Sequence, residues 1–292
     1  MASVKKNIKK EELKANVNRP RVGVALSGGS ARGIAHIGVL KALIENEIPI
    51  DCISGTSAGA IVAAVYAFDV PLDALIEKAK KLSWYSISGF PNLKLGLVPN
   101  NALEKIIEEF VGSADISKAR IPLAIVATDI ESGEKVVFRK GKVALAARAS
   151  ACLPGLFVPV EVDGRKLVDG GVTENLPLEP LREMGADISI GVHVTRWHSR
   201  KKVNNILDVV SNAIDILADY QKDIPGRFVD VVIEPDLGAY SSSDFKKADE
   251  MVDIGYRAAV RKIPEIRRLL EEKGTKRKAK GILERFWDWL LG

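Results

Sequence analysis

The chain has 292 residues, 47% hydrophobic and 28% charged, and is therefore long enough to bury a sizeable core. Its formal net charge of +5 belongs to the two ends, because residues 1–21 carry a net +5, residues 273–292 a net +4 and the remainder a net −4. A nucleic-acid-binding domain carries its basic residues on the folded body. This charge distribution therefore argues against nucleic acid as a partner.

The sequence contains no membrane-spanning stretch, since no run approaches the ~20 apolar residues that a spanning helix requires. The first residues, MASVKKNIKKEELK, lack the apolar segment of a secretory signal. Cys52 and Cys152 lie in apolar surroundings and are predicted to be buried free thiols. We therefore expect a cytoplasmic protein, or one at the inner face of a membrane.

Strand-like and helix-like stretches alternate along the chain from Arg21 onward. Strands are predicted at residues 21–27, 51–54, 121–129, 134–139, 157–162, 166–168, 188–194 and 229–233. Helices are predicted at residues 34–44, 58–68, 71–82, 101–110, 143–150 and 204–223, with one or two more at 244–270. The alternation predicts an α/β fold, a three-layer sandwich whose mostly parallel central sheet is covered by helices.

The sequence GTSAG, residues 55–59, lies where a predicted strand ends and an apolar helix begins. This context favours a nucleophile elbow, in which a sharp turn exposes the hydroxyl of Ser57. Gly55 and Gly59 would allow the backbone to bend without Cβ clashes. The alternative is a tight turn in which the serine only caps the helix.

A second glycine-rich turn, GGSARG at residues 28–33, follows the first predicted strand and opens a helix. Its backbone N–H groups can hold a phosphate or an oxyanion. The dinucleotide-binding pattern requires glycine where Ser30 stands, so that match fails. Two such turns after successive strands are expected at the same edge of the sheet.

Three histidines could serve as the base for a nucleophilic serine: His36, His193 and His198. The order serine, aspartate, histidine along the chain fits an α/β-hydrolase triad with His193 or His198. However, an α/β-hydrolase has a further strand and helix between its oxyanion loop and its nucleophile elbow, whereas here only one helix and one strand separate the two glycine-rich turns. We therefore favour structural roles for all three histidines.

Asp169 is followed by Gly170 and Gly171, which leave room for a serine hydroxyl to approach its carboxylate directly. An ordinary aspartate has a pKa near ~3.9, a poor match for deprotonating serine at neutral pH. Apolar neighbours such as Leu167 and Val168 permit a buried setting that would raise this pKa.

The motifs at residues 28–33, 55–59 and 169–171 resemble, in order and spacing, those of the patatin-like phospholipases. ASACLP at 149–154 and ENLPL at 174–178 are similar to the bacterial and archaeal members. The resemblance implies a serine acyl hydrolase of the phospholipase A or lysophospholipase type. It also implies a lipid or acyl-ester substrate and neither a metal nor an organic cofactor.

Carried over to this chain, the resemblance makes Ser57 the nucleophile and Asp169 its only catalytic partner. The backbone amides of Gly28, Gly29 and Ser30 would hold the oxyanion. The supporting residues would be Arg32, Gly33, Gly55, Gly59, Gly170 and Gly171. Of these, Arg32 would cap the glycine turn or steer an anionic head group, with an ordinary surface arginine as the alternative.

Residues 282–291, ILERFWDWLL, place their apolar side chains on one arc of a predicted amphipathic helix. A basic stretch precedes it, so Lys273–Leu291 is predicted to contact a membrane peripherally. Docking on the protein's own domain or on a second protomer is the alternative, and the oligomeric state stays open. Residues 84–99 are a candidate rim through which an acyl chain enters.

These patterns predict four segments. They are a basic N-terminal segment at 1–20, a patatin-like catalytic domain at 21–270, a basic linker at 271–281 and an amphipathic helix at 282–292. Two other classes of function stay open at this stage. One is a phosphate-binding module that uses the glycine-rich turn, and the other is a non-catalytic membrane-associated scaffold.

Overall fold

The computed structural model describes residues 19–82, 98–195, 206–221 and 229–275. Several predicted features lie outside these residues: most of the N-terminal segment, most of the acyl-chain rim, His198, and the chain from residue 276 that includes the C-terminal helix. Among the described residues, no helix combines the length and hydrophobicity needed to span a membrane.

A mixed sheet of eight strands forms the centre of the fold. The strands are β1 (Val22–Leu26), β2 (Cys52–Thr56), β3 (Leu123–Asp129), β4 (Lys135–Phe138), β5 (Val160–Val162), β6 (Arg165–Asp169), β7 (Ile188–Val192) and β8 (Val231–Ile233). Their order is β5-β6-β3-β2-β1-β7-β8, with β4 also paired to β3. Strands β3, β2, β1, β7 and β8 are parallel, whereas β4 and β6 run antiparallel to β3 and β5 antiparallel to β6. The predicted mostly parallel sheet is confirmed.

Helices connect and cover these strands. They are α1 (Ala35–Glu45), α2 (Ala58–Ala67), α3 (Leu72–Lys80), α4 (Asn101–Val111), α5 (Val143–Ser150), α6 (Glu179–Glu183), α7 (Ile206–Gln221), α8 (Ala248–Val260) and α9 (263–275). The glycine-rich turn leads into a 3-10 helix, Ser30–Ile34, before α1. The short helix α6 was not predicted, and the segment predicted as one or two helices near the C-terminus is two.

The two faces of the sheet are covered by different clusters of buried side chains. Because neighbouring residues of a strand point to opposite faces, Leu26 and Ala25 of β1 belong to different layers. Leu26 joins the large cluster that contains α1, α2 and α8. Ala25 joins a smaller one with Cys52, Leu178 and Leu181 beside α6. Helical layers on both faces confirm the three-layer arrangement.

Both cysteines are buried free thiols, as predicted. Burial raises the pKa of the Cys52 thiol to about 11 and that of Cys152 to about 12. Both thiols are therefore protonated and poorly reactive at neutral pH.

Helix α9 corrects one predicted boundary. The basic linker was predicted to begin at residue 271, but the helix continues through residue 275. Lys273 of this last turn donates to the backbone oxygen of Asp187 and to Oδ1 of Asp230, both at 2.6 Å. A cation that binds the folded domain at two points belongs to that domain, so the prediction is wrong for residues 271–275.

Helices α1 and α8 approach each other closely through two glycines. A Cβ on Gly38 would overlap the backbone oxygen of Val252, and one on Gly255 would overlap that of Ala35. Only glycine permits backbones to pack at this distance, because no flexible side chain is available to move aside.

We predict that Gly255→Ala lowers the free energy of unfolding by about 1–3 kcal/mol, since the added methyl group overpacks the α1–α8 contact. Gly274→Ala is the matched control, because its helical Cβ would meet only Pro20 Cδ, at 3.7 Å. Urea denaturation followed by circular dichroism measures both. Equal midpoints for the two variants would show that the helices do not pack this closely in solution.

Candidate active site

Ser57 occupies the sharp turn between β2 and α2. Its backbone has φ 53° and ψ −123°, a left-handed conformation that is strained for a residue with a side chain. The flanking glycines fit the predicted elbow. A Cβ on Gly59 would overlap the backbone oxygen of Leu26, and one on Gly55 would overlap that of Gly59. The small residues at these positions are therefore required by close backbone contacts.

Ser150, the last residue of α5, fixes the backbone of the elbow. The Ser57 N–H donates to Ser150 Oγ at 2.8 Å, and Ser150 Oγ donates to the backbone oxygen of Val126 at 2.5 Å. Ser150 thus links the turn to the neighbouring strand β3. Sequence reasoning quoted this serine within ASACLP but gave it no role.

The pairing of three strands brings Asp169 beside Ser57. Strand β3 lies between β2 and β6, and it pairs Val126 with Thr56 and Ala127 with Asp169. Because these two positions of β3 are adjacent, the end of β2 and the end of β6 lie at the same level of the sheet. The two residues that the sequence predicted as catalytic are brought together from positions far apart in the chain.

The backbone and the side chain of Asp169 are both held. Its N–H donates to the backbone oxygen of Cys152 at 2.8 Å, and its own backbone oxygen accepts from Thr128 Oγ1 at 3.0 Å. Carboxylate Oδ1 accepts from the Gly171 N–H at 2.8 Å. Oδ2 has no hydrogen-bond partner in the described part of the chain. This second oxygen is therefore available to accept a proton.

Burial raises the pKa of Asp169 from 3.8 to about 6, because the side chain is almost wholly removed from water. The Ser57 hydroxyl and the Gly171 N–H oppose the increase, and the negative charge of Asp215 adds to it. Ser57 is thus near enough to influence the carboxylate, although the hydroxyl does not reach full hydrogen-bond geometry with it. Catalytic hydrogen bonds are often long before substrate binds.

The amides of the glycine-rich turn are not equivalent. The Gly28 N–H donates to Asn175, to Oδ1 at 3.1 Å and to the backbone oxygen at 3.3 Å. The Ala31 N–H donates to Ser242. Within the described residues, those of Gly29 and Ser30 donate to no protein acceptor. The Gly28 amide thus has protein acceptors in this structure, and oxyanion binding by Gly28, Gly29 and Ser30 stays a prediction.

Gly28 also has a steric function. Its Cβ would lie 2.6 Å from Asn175 Oδ1 and 3.1 Å from Ser57 Cβ, so a side chain here would disturb both the turn and the elbow. Asn175 itself is buried and also donates from Nδ2 to Thr195 Oγ1 at 3.1 Å. Its role was missed because the partners of a buried amide are set by the path of the whole chain.

Arg32 is a buried residue and not the ordinary surface arginine of the alternative prediction. Its Nη2 donates to Asp215 Oδ2 of helix α7 at 2.6 Å, with both side chains at most 5% exposed. Because it is buried, Arg32 is not a surface arginine and does not present its charge to an approaching head group, whereas capping of the glycine turn stays a prediction. It connects the 3-10 helix to α7.

The other predicted supporting glycines also stand at close contacts. A Cβ on Gly33 would overlap Cβ of Ala58, and one on Gly170 would overlap the backbone oxygen of Val126. One on Gly171 would lie 3.1 Å from Asp169 Oδ1. These three glycines allow the chain to pack tightly around the two reactive side chains.

Neither described histidine lines the cavity that contains Ser57 and Asp169. His36 is fully buried, its Nε2 lies 2.8 Å from the backbone oxygen of Ser27, and burial lowers its pKa to about 4. His193 is buried as well, with Nε2 3.5 Å from Thr195 Oγ1. Both positions are those of structural histidines.

The cavity itself has a volume of only about 10 Å³. It is lined by Gly28, Gly29, Ser30, Ser57, Leu153, Asp169, Asn175, Ile214 and Asp215. In the part of the chain that the structure describes, no group of three His, Cys, Asp or Glu side chains is arranged to hold a metal ion. The cavity therefore offers a serine hydroxyl, a carboxylate shielded from water and two backbone amides that have no protein acceptor in the described chain.

The family model of the patatin-like phospholipases matches residues 24–182, slightly more than half of the chain. The chain belongs to the patatin-like phospholipase family. The matched residues include both glycine-rich turns, Ser57 and Asp169. The fold and the site described above are thus those of a member of this family.

An uncharacterized NTE family protein of Mycobacterium tuberculosis is 40% identical over 176 residues, which cover 59% of this chain and 49% of that protein. A lysophospholipase of Aspergillus fumigatus is 29% identical over 272 residues, covering 80% of this chain and 18% of that protein. Among solved structures, VipD from Legionella pneumophila matches with a TM-score of 0.48 and 14% identity, covering 84% of this chain and 66% of VipD. The chain thus spans about half the length of the mycobacterial relative and under a fifth of the fungal one.

The raised pKa of Asp169 predicts a pH-dependent cost to stability. Above pH 6 the carboxylate is charged in both the folded and the unfolded chain, and burying that charge costs about 3 kcal/mol, the equivalent of the difference between 3.8 and about 6. The cost falls as the pH decreases through 6 and disappears below 3.8. Asp169→Asn should therefore be more stable than the wild type at pH 8, and the advantage should shrink towards pH 4.

Urea denaturation at pH 4, 6 and 8 measures this difference. Asp163→Asn is the matched control, because Asp163 is exposed in the turn between β5 and β6. A constant difference between Asp169→Asn and the wild type across this range would mean that the Asp169 carboxyl titrates at its ordinary pKa.

Proposed function

We propose that this chain hydrolyses carboxylic esters of lipids, as a phospholipase A or lysophospholipase, through a Ser57–Asp169 dyad. The observation that carries the proposal is the cavity that joins a serine on a strained elbow to a buried carboxylate of raised pKa. The same cavity is lined by Gly29 and Ser30, whose amides have no protein acceptor in the described chain. Nucleophile, base and oxyanion donors are thus adjacent, as acyl transfer requires.

In the proposed mechanism, Ser57 Oγ attacks the ester carbonyl carbon while Asp169 Oδ2 accepts the hydroxyl proton. The Gly29 and Ser30 amides donate to the oxyanion of the tetrahedral intermediate. When the intermediate collapses, the alcohol leaves with the proton from Asp169, and the acyl group stays on Ser57. Water then attacks the acyl-enzyme, Asp169 again accepts a proton, and the fatty acid is released as the proton returns to Ser57.

Burial makes the carboxylate suitable for this role. A base is most effective when its pKa lies near the working pH, and the increase to about 6 moves Asp169 towards that range. Oδ1 is oriented by the Gly171 N–H, so Oδ2 is left to receive the proton. No histidine is needed between serine and carboxylate.

The substrate class rests on the family and its relatives. The family model is that of the patatin-like phospholipases, and the Aspergillus fumigatus relative is a lysophospholipase. The cavity also argues against the alternative that the glycine-rich turn binds phosphate, because the Asp169 carboxylate in the same small space would repel a dianion. A carbonyl oxygen that becomes negative only during the reaction avoids most of this repulsion.

Peripheral membrane contact through Lys273–Leu291 stays a proposal, and Lys273 itself binds Asp230 of the domain.

We predict that Ser57→Ala and Asp169→Asn each abolish hydrolysis of a short p-nitrophenyl ester and of a lysophospholipid, because nucleophile and base act as one unit. Thermal melting checks that both variants fold. Ser132→Ala, in an exposed turn, is the control for serine removal and should retain full activity. Wild-type activity in Ser57→Ala would disprove the proposal, and loss of activity in a folded His193→Ala/His198→Ala double variant would indicate a triad instead.

We also predict that kcat/KM increases with pH up to about 6 and is then constant to pH 8, because the free enzyme needs an ionised Asp169. Below that pH the rate should fall about tenfold per pH unit, as the carboxyl becomes protonated. Titration of released acid at constant pH measures this without a pH-sensitive chromophore. Full activity persisting to pH 4 would contradict a buried carboxylate as the base.

A further inference from the structure

Helix α7 lines one side of the catalytic cavity. Ile214 and Asp215 of this helix line the cavity together with Ser57 and Asp169. Ile214 also packs on the turn that follows Asp169, since a Cβ on Gly171 would lie 2.8 Å from Ile214 Cγ2. A cavity of about 10 Å³ holds roughly one water molecule. Within the described residues, the cavity is therefore too small for a fatty acyl ester while α7 is in this position.

One buried ion pair holds α7 to the glycine-rich turn. Asp215 accepts from Arg32 Nη2 at 2.6 Å, and both side chains are at most 5% exposed. An ion pair of this kind gains little net stability over hydrated charges, because its attraction is offset by the loss of hydration. The ion pair can therefore separate when water reaches both side chains. Its hydrogen-bond geometry still defines a single position of α7 while it is formed.

The outer face of α7 is apolar and exposed. Five of the eight large hydrophobic side chains that are exposed in the described chain lie on this one helix: Ile206, Val209, Ile216, Leu217 and Tyr220. At 3.6 residues per turn these five and the exposed Ala213 fall within an arc of about 100°, and Asp215 lies on the opposite side. No charged residue of α7 falls within this arc. Contiguous apolar surface of this kind marks an interaction site.

We infer that α7 is a lid over Ser57 and Asp169, and that it opens when its outer apolar face docks on a lipid surface. The inference rests on the proposed function and extends it. A lipid surface fits this face because the face is uncharged and apolar, and because an enzyme acting on lipid esters meets its substrate in such an aggregate. Since the face and the cavity roof belong to the same helix, lipid binding is coupled directly to opening.

The experiment measures how fast Ser57 is labelled by a water-soluble fluorophosphonate, in buffer and with phosphatidylcholine vesicles. If the open state is a minor one of about 10%, vesicles should accelerate labelling of the wild type about tenfold. Asp215→Asn keeps the side-chain size but breaks the ion pair, so it should be labelled rapidly in buffer and gain little from vesicles.

The docking face is tested with matched double variants. Ile216→Ser/Leu217→Ser removes side chains that are 40% and 46% exposed on α7, and Ile44→Ser/Val260→Ser removes side chains that are 48% and 40% exposed on α1 and α8. The first should lower the ratio of labelling with vesicles to labelling in buffer to about twofold or less, whereas the second should keep the full ratio.

The possible outcomes distinguish a failure of the lid inference from a failure of the proposed function. Equal labelling of the wild type with and without vesicles, and of Asp215→Asn, would overturn the lid while leaving the proposed function intact. Absence of labelling under every condition would overturn the proposed function, and the lid with it. Acceleration that follows protein concentration would make a second copy the occupant of this face. Faster labelling in buffer after removal of residues 276–292 would make the C-terminal segment the occupant, and either result would disprove the lipid assignment.

Discussion

A carboxylate kept out of water beside a serine hydroxyl is the constraint on which the site depends. Burial gives Asp169 a pKa of about 6, which in the proposed mechanism allows the carboxylate to act as the base without a histidine. The same burial destabilises the folded chain at neutral pH. The rest of the fold must therefore both hold the carboxylate in place and supply the stability that its charge removes, as is common where activity needs an unfavourable group.

The central sheet helps to hold the site in place through short hydrogen bonds at one edge. Thr56 Oγ1 donates to the backbone oxygen of Glu174 at 2.9 Å, and Ser54 Oγ to that of Pro177 at 2.6 Å. These bonds attach the loop that follows Asp169 to the strand that leads into Ser57. Ser57 and Asp169 are thus positioned by strands and their direct connections, which deform little. Helix α7, by contrast, contacts the site through the side chains of Ile214 and Asp215.

Features that depend on local spacing, such as the two glycine-rich turns, could be predicted from the sequence. Glycines around Ser57 and at residues 28–33 are required by close backbone contacts, and their pattern is visible without a structure. Contacts between distant segments were missed or misjudged: Arg32 and Asp215 are 183 residues apart, and Asn175 lies 147 residues from Gly28, whose amide it engages. Local pattern shows that a turn forms and which amides it contains. It does not show which of those amides another segment will occupy, because that depends on how the whole chain is folded around the sheet.

The position of α7 also bears on the base strength of Asp169. In this structure, burial and the negative charge of Asp215 on α7 both raise the pKa of Asp169. Moving α7 away would hydrate the carboxylate and lower its pKa, so an empty open site would contain a weaker base. An acyl chain in the space vacated by Ile214 would restore the apolar surroundings. A lipid substrate would therefore do more than occupy the site, since its hydrocarbon would keep Asp169 dry while Ser57 reacts, an effect that a small water-soluble ester cannot provide to the same extent.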